Sequence, residues 1–223
     1  MKPKIKAVLF DYNGTLFYDD DINRICWQQT IEEMSEGKLN AADFYKRCIG
    51  MRNRPLVEEA FTELGLPLDE EKVMYWARRK ETRYYHEYCR IHQRDSLVKG
   101  AVEFIEYLQE KDIPYNLCTA SLIENVQFYF EYLKLGKWFD ISKVIYDDGY
   151  HANKKEMYLS GAASLGVSPS DCLIIDDSTS SIKGAIDAGC QNIIAIRKED
   201  TPDLPEIIQT ISDFTEIDRS IFE

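Results

Sequence analysis

The chain carries near its start the run Ala7-Val8-Leu9-Phe10-Asp11-Tyr12-Asn13-Gly14-Thr15-Leu16. Four apolar residues are followed at once by an aspartate and a glycine-containing turn. A short, continuous apolar run bounded by turn-forming residues is typical of a strand that is buried on both faces in a parallel sheet. The run therefore predicts an α/β fold in which Asp11 lies at the carboxyl end of the first strand.

Apolar runs of the same kind recur along the chain, at residues 115–118, 144–146, 172–175 and 193–196. Helical patterns separate them. Apolar residues recur with a period of about 3.6 between 98 and 108, and hydroxyl side chains at 178–181 offer a cap to a helix that Gly189 would end. Strands that alternate with helices predict a Rossmann-like, doubly wound parallel sheet.

The interval between the first two predicted strands is too long for one crossover. It exceeds a hundred residues, whereas a βαβ unit needs about 30. Residues 19–94 show helical periodicity and no convincing strand, and residues 69–90 contain neither Gly nor Pro. We therefore expect an α/β core formed by residues 1–18 and 95–223, with an all-α cap domain of residues 19–94 inserted into it.

Composition limits the possible partners. The 223 residues include 27 Lys and Arg against 39 Asp and Glu, which gives a net charge of −12. Binding to nucleic acid or to an anionic membrane needs a basic face, so we expect neither partner. The six cysteines form no CxxC pair and indicate buried thiols in a reducing compartment. The apolar run near the start is shorter than the roughly 7–15 residues of a signal peptide core. We expect a cytoplasmic monomer or small homo-oligomer.

Residues that carry chemistry follow four of the predicted strands: Asp11, Thr119, the pair Lys154-Lys155 and the pair Asp176-Asp177. Open α/β sheets bind their ligands at the carboxyl ends of the strands, so these groups should converge at one edge. Crowded carboxylates raise one another's pKa unless a cation neutralises them, and Mg²⁺ prefers such oxygen ligands. Lysine and hydroxyl groups bind phosphate oxygens. The set predicts phosphoryl transfer with Asp11 available as the nucleophile.

These motifs resemble the haloacid dehalogenase superfamily over nearly the whole chain. The resemblance is strongest to the branch that contains beta-phosphoglucomutase and phosphoglycolate phosphatase. The first motif is Asp11-x-Asn13-Gly14-Thr15, Thr119 and one of the two lysines match the second and third, and 173–178 matches the fourth. The resemblance implies an α/β core, a helical cap between the first two motifs, and an Mg²⁺-dependent phosphatase that acts on a small phosphorylated metabolite.

The resemblance also implies a role for each matched residue. Asp11 would attack phosphorus, and Mg²⁺ would bind to the Asp11 carboxylate, the Asn13 backbone carbonyl, and one or both of Asp176 and Asp177. The transferring phosphoryl group would be held by a set comprising Gly14, Thr119, the Ala120 amide and Lys154.

Two choices rest on local sequence. Lys154 is favoured over Lys155 as the phosphate lysine, because the following helix would then begin at Lys155 or Glu156. In the cap, Arg52 and Arg54 could bind a substrate phosphate or carboxylate as bidentate donors. A solvated helix end explains the two arginines equally well.

Asn13 departs from the family pattern, in which this position is an aspartate that serves as general acid and base. An amide has no titratable proton, whereas general acid–base catalysis contributes about 10²–10⁴-fold to the rate. The chain could hydrolyse substrates whose leaving group needs little protonation, or it could recruit an acid from the cap. Alternatively, it is a catalytically weak phosphate-ester-binding protein or regulator with a degenerate site. Dehalogenase, phosphonate-cleaving and mutase chemistry are disfavoured.

Overall fold

The computed structural model describes residues 5–49, 51–151, 153–196 and 201–223. Its sheet contains five strands that all run parallel, in the order β2-β1-β3-β4-β5. The strands are β1 (Ala7–Phe10), β2 (Tyr115–Leu117), β3 (Cys172–Asp176), β4 (Asn192–Ile196) and β5 (Ile207–Ile211). The predicted α/β fold class is confirmed.

The sheet is covered by helices on both faces. The helices that accompany it are α6 (Ala101–Glu110), α7 (Ile123–Tyr132), α8 (Lys154–Ser164) and α9 (Thr179–Asp187). Successive residues of a strand point to opposite faces. Leu9 packs in a core cluster with Tyr158 of α8 and Ile182 of α9, whereas the neighbouring ring of Phe10 lies 6.1 Å from that of Phe104 in α6. This explains why β1 is apolar throughout rather than alternating.

The strand predictions differ from the structure at two places. The predicted strand at 144–146 is wrong, since only Ile145 forms an isolated parallel bridge to Cys118. A short helical turn at Ile141–Lys143 precedes it, so the segment is too short to extend beside β2. Conversely, β5 was not predicted from the sequence.

Both predicted helices of the core are present as α6 and α9. The N-cap is Ser178, whose hydroxyl accepts the Ser181 N–H at 3.2 Å at the start of α9, and Gly189 follows the helix at φ +95°. The periodic segment at 98–108 becomes α6, but the helix begins only after Gly100. That residue has a φ of +80°, and a Cβ there would lie 2.7 Å from the Thr215 backbone nitrogen.

Contacts divide the chain into two compact units, Met1–Tyr18 with Ser96–Glu223 and Asp19–Asp95. The second boundary falls one residue later than the expected one. All regular secondary structure described in the second unit is helical, as α1 (Asp20–Ser35), α2 (Ala41–Arg47), α3 (Asn53–Glu63), α4 (Glu70–Arg79) and α5 (His86–Ile91). This unit has its own apolar core, which includes Trp27, Phe44, Val57 and Phe61.

A π-helical segment, Lys80–Tyr85, joins α4 to α5 and contributes an ion pair to the interior of the helical unit. The Lys80 ammonium lies 2.9 Å from a carboxylate oxygen of Glu81, and both side chains are at most 5% exposed. Lys80 also donates to Asn23 Oδ1 at 2.6 Å, and Asn53 donates to Glu81 at 2.7 Å. The two charges therefore depend on each other and on these amides for the interactions that water would otherwise supply.

Two further observations concern the helices and the cysteines. Within the described residues, the helices are all too short or too polar to cross a lipid bilayer. All six cysteine side chains are buried, in agreement with the expectation that they act as small apolar core residues.

Candidate active site

The site begins where β1 and β3 end side by side. The register pairs Phe10 with Ile175, and the Asp11 N–H donates to the Ile175 carbonyl at 2.9 Å. Asp176 is the last residue of β3 and Asp177 follows it. Two adjacent parallel strands thus deliver their carboxylates to one edge of the sheet, as the sequence motifs predict.

Three carboxylates form a compact, buried cluster at this edge. Ligand oxygens of Asp11, Asp176 and Asp177 all lie within 4.8 Å of one another, and none of the three residues is more than 8% exposed. The turn after β1 makes room for this cluster through Gly14, whose φ is +75°. A Cβ at that position would overlap the Asp177 carboxylate, so only glycine fits both the backbone and the space.

Lys154 is the cation of the cluster. Its ammonium donates to Asp11 Oδ1 at 2.6 Å, to Asp176 Oδ2 at 3.1 Å and to the Cys118 carbonyl at 3.0 Å. Lys154 is itself the first residue of α8, so the expected helix start at Lys155 or Glu156 is corrected. Lys155 is exposed because its side chain leaves the helix in another direction.

The electrostatics of the cluster are unbalanced. Burial is the main cause that raises the pKa of Asp11 to about 8, and the charges of Asp176 and Asp177 add to it against the opposing Lys154 ammonium. Burial also disfavours the charged form of Lys154, but the carboxylates of Asp11 and Asp176 outweigh it and raise the pKa of Lys154 above its usual range. Because three carboxyl groups lie beside a single ammonium, a further positive charge would stabilise their ionised forms.

Asp176 is held by a residue that sequence reasoning missed. The Tyr158 hydroxyl donates to Asp176 Oδ2 at 2.5 Å, and both residues are completely buried. The Ser178 N–H donates to the other oxygen, Oδ1, at 2.9 Å. Burial, followed by the charge of Asp176, raises the pKa of Tyr158 well above its usual range, so the phenol stays protonated. Tyr158 could have been found from its spacing, because it lies four residues after Lys154 and therefore on the same helix face.

Asn13 is held by two hydroxyl groups that were also not predicted as site residues. Its Oδ1 accepts from Ser121 Oγ at 2.7 Å and from the Tyr129 hydroxyl at 3.1 Å, and the two hydroxyl oxygens are 3.1 Å apart. The Tyr129 ring is fully buried and stacks on Tyr12 with 3.8 Å between ring centroids. The carboxamide of Asn13 is therefore fixed rather than mobile.

Thr119 joins the same hydroxyl network. Its Oγ1 donates to Ser121 Oγ at 3.1 Å and accepts the Ser121 N–H at 3.2 Å. Thr119 is buried and Ala120 is exposed. The structure thus gathers most of the predicted site residues at one edge of the sheet: Asp11, Asn13, Gly14, Thr119, Ala120, Lys154, Asp176 and Asp177.

The two predicted substrate arginines lie in the helical unit. Arg54 forms ion pairs with Glu58 at 2.8 Å and Glu70 at 2.5 Å, and its side chain is about half exposed. Arg52 is the residue immediately before α3. Substrate binding by these arginines stays a prediction, and Arg54 already has carboxylate partners within its own unit.

Comparisons with known proteins agree with this arrangement. A family model described as haloacid dehalogenase-like hydrolase matches residues 5–189. A HAD hydrolase of family IA, variant 3, from Entamoeba histolytica is 30% identical and superposes with a TM-score of 0.86 over 98% of this chain and 97% of that chain. The beta-phosphoglucomutase of Clostridium difficile shares the fold at 18% identity, with a TM-score of 0.77 over 97% and 94% of the two chains.

Among curated proteins, the chain is 23% identical over 222 residues to a probable pseudouridine-5'-phosphatase of Drosophila melanogaster, covering 95% of this chain and 92% of that protein. The chain belongs to the haloacid dehalogenase-like hydrolases, which confirms the resemblance seen in its motifs, and its relatives place it among the phosphatases of that family.

Proposed function

We propose that the protein is an Mg²⁺-dependent phosphohydrolase that acts on a small phosphorylated metabolite through an aspartyl-phosphate on Asp11. The observation that carries the proposal is the cluster itself. One ammonium, that of Lys154, whose side chain is 11% exposed, contacts two of three carboxylates whose oxygens lie within 4.8 Å of one another. A nucleophile, a phosphate-binding cation and a set of acidic ligands are thereby present in one place.

The residues present fit a divalent metal ion. Carboxylate oxygens with neighbouring backbone carbonyls are the ligands that Mg²⁺ takes, and the three clustered carboxyl groups outnumber the single ammonium of Lys154 that contacts them. Asp11, Asp176, Asp177 and the backbone carbonyl of Asn13 would hold the ion. When bound, Mg²⁺ supplies positive charge to the phosphoryl oxygens.

The chain's own residues supply the remaining steps. An oxygen of the Asp11 carboxylate attacks phosphorus, a P–O bond forms, and the bond from phosphorus to the leaving oxygen breaks. Lys154, the Thr119 hydroxyl and the Ala120 N–H would bind the other phosphoryl oxygens. Water then attacks the phosphorus of the aspartyl-phosphate, and the bond from phosphorus to the Asp11 oxygen breaks. Inorganic phosphate leaves with the protons of the water, and the Asp11 carboxylate is regenerated.

Asn13 determines which substrates suit this site. Its amide has no proton to give to a leaving alkoxide, and two hydroxyl donors already occupy its Oδ1. A leaving group that is stable as an anion needs no such proton. We therefore expect an aryl phosphate, which releases a phenolate, to be hydrolysed faster than an alkyl phosphate.

The test is a phosphatase assay with an aryl phosphate in the presence and absence of Mg²⁺, on wild-type protein and D11N. D171N is the matched control. Asp171 lies just before β3, at the opposite end of the strand from Asp176, where it pairs with Lys6 at 2.8 Å. Activity should require Mg²⁺, disappear in D11N and persist in D171N. Activity that survives in D11N would refute the nucleophile.

Two further results separate the alternatives. Equal rates on aryl and alkyl phosphates would mean that another group supplies the proton. Thermal stabilisation by phosphate esters without turnover would favour the alternative function, that of a catalytically weak phosphate-ester-binding protein. That alternative follows from the presence of Asn13 where the family has an aspartate.

The choice of metabolite is tested by a panel of sugar, acid and nucleotide monophosphates. Relatives are named for pseudouridine-5'-phosphate and for other phosphorylated compounds, which supports a small phosphorylated substrate. R52A and R54A should raise KM for the best substrate if either arginine binds it. Arg47, which pairs with Glu63 at 2.8 Å in the same unit, provides the control variant R47A.

A further inference from the structure

We propose that Tyr158 is a positioning residue for the metal site. Its hydroxyl holds the Asp176 carboxylate in the orientation that Mg²⁺ binding requires. The inference rests on the proposed function. It is carried by the hydrogen bond from the buried phenol to Asp176 Oδ2 at 2.5 Å, and it adds an α8 residue that none of the motifs contains.

The contacts of Asp176 show what Tyr158 contributes. The Ser178 N–H binds Oδ1 from the turn after β3, whereas Lys154 and Tyr158 both bind Oδ2 from α8. Without Tyr158, Oδ2 would keep the 3.1 Å contact from Lys154, whose ammonium is shared with Asp11 and the Cys118 carbonyl. Donors on both oxygens, from two different elements, restrict it to one orientation. Partners that orient metal ligands in this way are part of what sets metal affinity.

Helix α8 is seated closely enough to act as a rigid carrier for Tyr158. Lys154 and Tyr158 lie one turn apart, with the ammonium 5.3 Å from the centre of the phenol ring. Further along the helix, a Cβ at Gly161 would lie 2.5 Å from Cys118 Sγ, so glycine lets α8 approach the strands. At the start of the helix, a Cβ at Gly184 of α9 would lie 3.0 Å from Lys154 Cβ, so α9 also approaches α8 closely.

A phenol suits this position for an electrostatic reason. It donates a hydrogen bond to Asp176 and adds no charge, so the excess of negative charge that attracts a cation is preserved. A second lysine would hold the carboxylate equally well but would cancel that charge. A phenylalanine would fill the same space in the core cluster and leave Asp176 Oδ2 with only the hydrogen bond from Lys154.

The experiment compares Mg²⁺ binding by calorimetry in wild-type protein, Y158F and the control Y115F. Tyr115 lies at the start of β2, away from the strand ends that form the site, and its hydroxyl donates to the Trp138 carbonyl at 2.8 Å. Loss of an outer-shell partner costs about 10–100-fold in metal affinity. We expect Y158F to bind Mg²⁺ about 10-fold more weakly, while Y115F binds like wild type.

Two readouts separate positioning from a purely structural role. At saturating Mg²⁺, kcat of Y158F should return close to the wild-type value, because the nucleophile and Lys154 are intact. In wild-type protein, the Tyr158 hydroxyl proton is buried and should give a slowly exchanging downfield NMR signal that Y158F lacks and that shifts on addition of Mg²⁺. This signal tests the inference even if the variant is unstable.

Three results would overturn the inference. The first is an Mg²⁺ affinity of Y158F within twofold of the wild-type value. The second is an equal loss of Mg²⁺ affinity in Y158F and Y115F. A hydroxyl signal unaffected by Mg²⁺ would contradict it as well. Failure of wild-type protein to bind Mg²⁺ overturns the proposed function itself, and that failure is distinguishable because it appears before any variant is compared.

Discussion

Replacing Asn13 by aspartate restores an acid where the family has one, and the structure indicates how large the effect should be. The side chain at position 13 points at Ser121 Oγ and the Tyr129 hydroxyl, which donate to Oδ1 at 2.7 Å and 3.1 Å. The same two donors would bind the carboxylate introduced by N13D. They would stabilise its ionised form and so lower its pKa.

The magnitude follows from two opposing effects. General acid–base catalysis is worth about 10²–10⁴-fold. A hydrogen bond to a charged group is worth about 1.5–3 kcal/mol, and one pKa unit corresponds to about 1.4 kcal/mol, so each donor lowers the pKa by about one to two units. The new acid would therefore be ionised too readily to protonate a leaving alkoxide well. We expect N13D to raise kcat/KM for an alkyl phosphate about 10-fold, below the full range.

The assay compares alkyl and aryl phosphates for wild type, N13D, Y129F and N13D/Y129F. Removing the Tyr129 hydroxyl from N13D should raise the pKa of the new acid by at least about one unit and add about 10-fold on the alkyl substrate. The aryl substrate should change little, since its leaving group needs no proton. Equal gains on both substrates would refute the leaving-group argument. A double variant no faster than N13D would refute the role assigned to the hydroxyls.

Three other perturbations have defined outcomes. G184A adds a Cβ 3.0 Å from Lys154 Cβ, so phosphatase kcat should fall by up to about 10²-fold through displacement of Lys154. The melting temperature should change little, because helix propensity offsets the crowding. K80M leaves the buried carboxylate of Glu81 without its cation and should destabilise the helical unit by about 3–5 kcal/mol in denaturant unfolding, with much of the loss restored in K80M/E81L. Because the pKa of Asp11 is raised to about 8 without metal, Mg²⁺ must displace a proton at lower pH, so calorimetric affinity should rise from about pH 6 to pH 8.

Strand ends were the most predictable feature of the site. Asp11, Thr119 and Asp176 each follow an apolar run, and parallel strands of one sheet bring their carboxyl ends to a common edge. The spacing of the motifs is therefore enough to predict convergence, even though the residues are far apart in the chain. The predicted strand at 144–146 was wrong because an apolar run does not by itself indicate strand pairing. Ile145 forms a single isolated bridge, to Cys118 just after β2.

Residues that act on the motifs from neighbouring elements were not predictable in the same way. Tyr129 lies in the middle of a helix among other aromatic residues, and its sequence context is that of a core residue. Only its hydroxyl, 3.1 Å from Asn13 Oδ1, distinguishes it. Tyr158 has the same character, since its ring belongs to the core cluster and its hydroxyl to the site. Sequence patterns register burial of a side chain but not the position of its one polar atom.

The sequence by itself determined the fold class, the family and the set of reactive groups at the strand ends, because these depend on local patterns and on the fixed direction of parallel strands. Tertiary structure decided which lysine enters the cluster, since Lys154 and Lys155 differ only in the direction in which α8 points them. It also decided how Asn13 and Asp176 are held. Hydrogen bonds act over about 3 Å, and only packing brings residues that are distant in the chain to that distance.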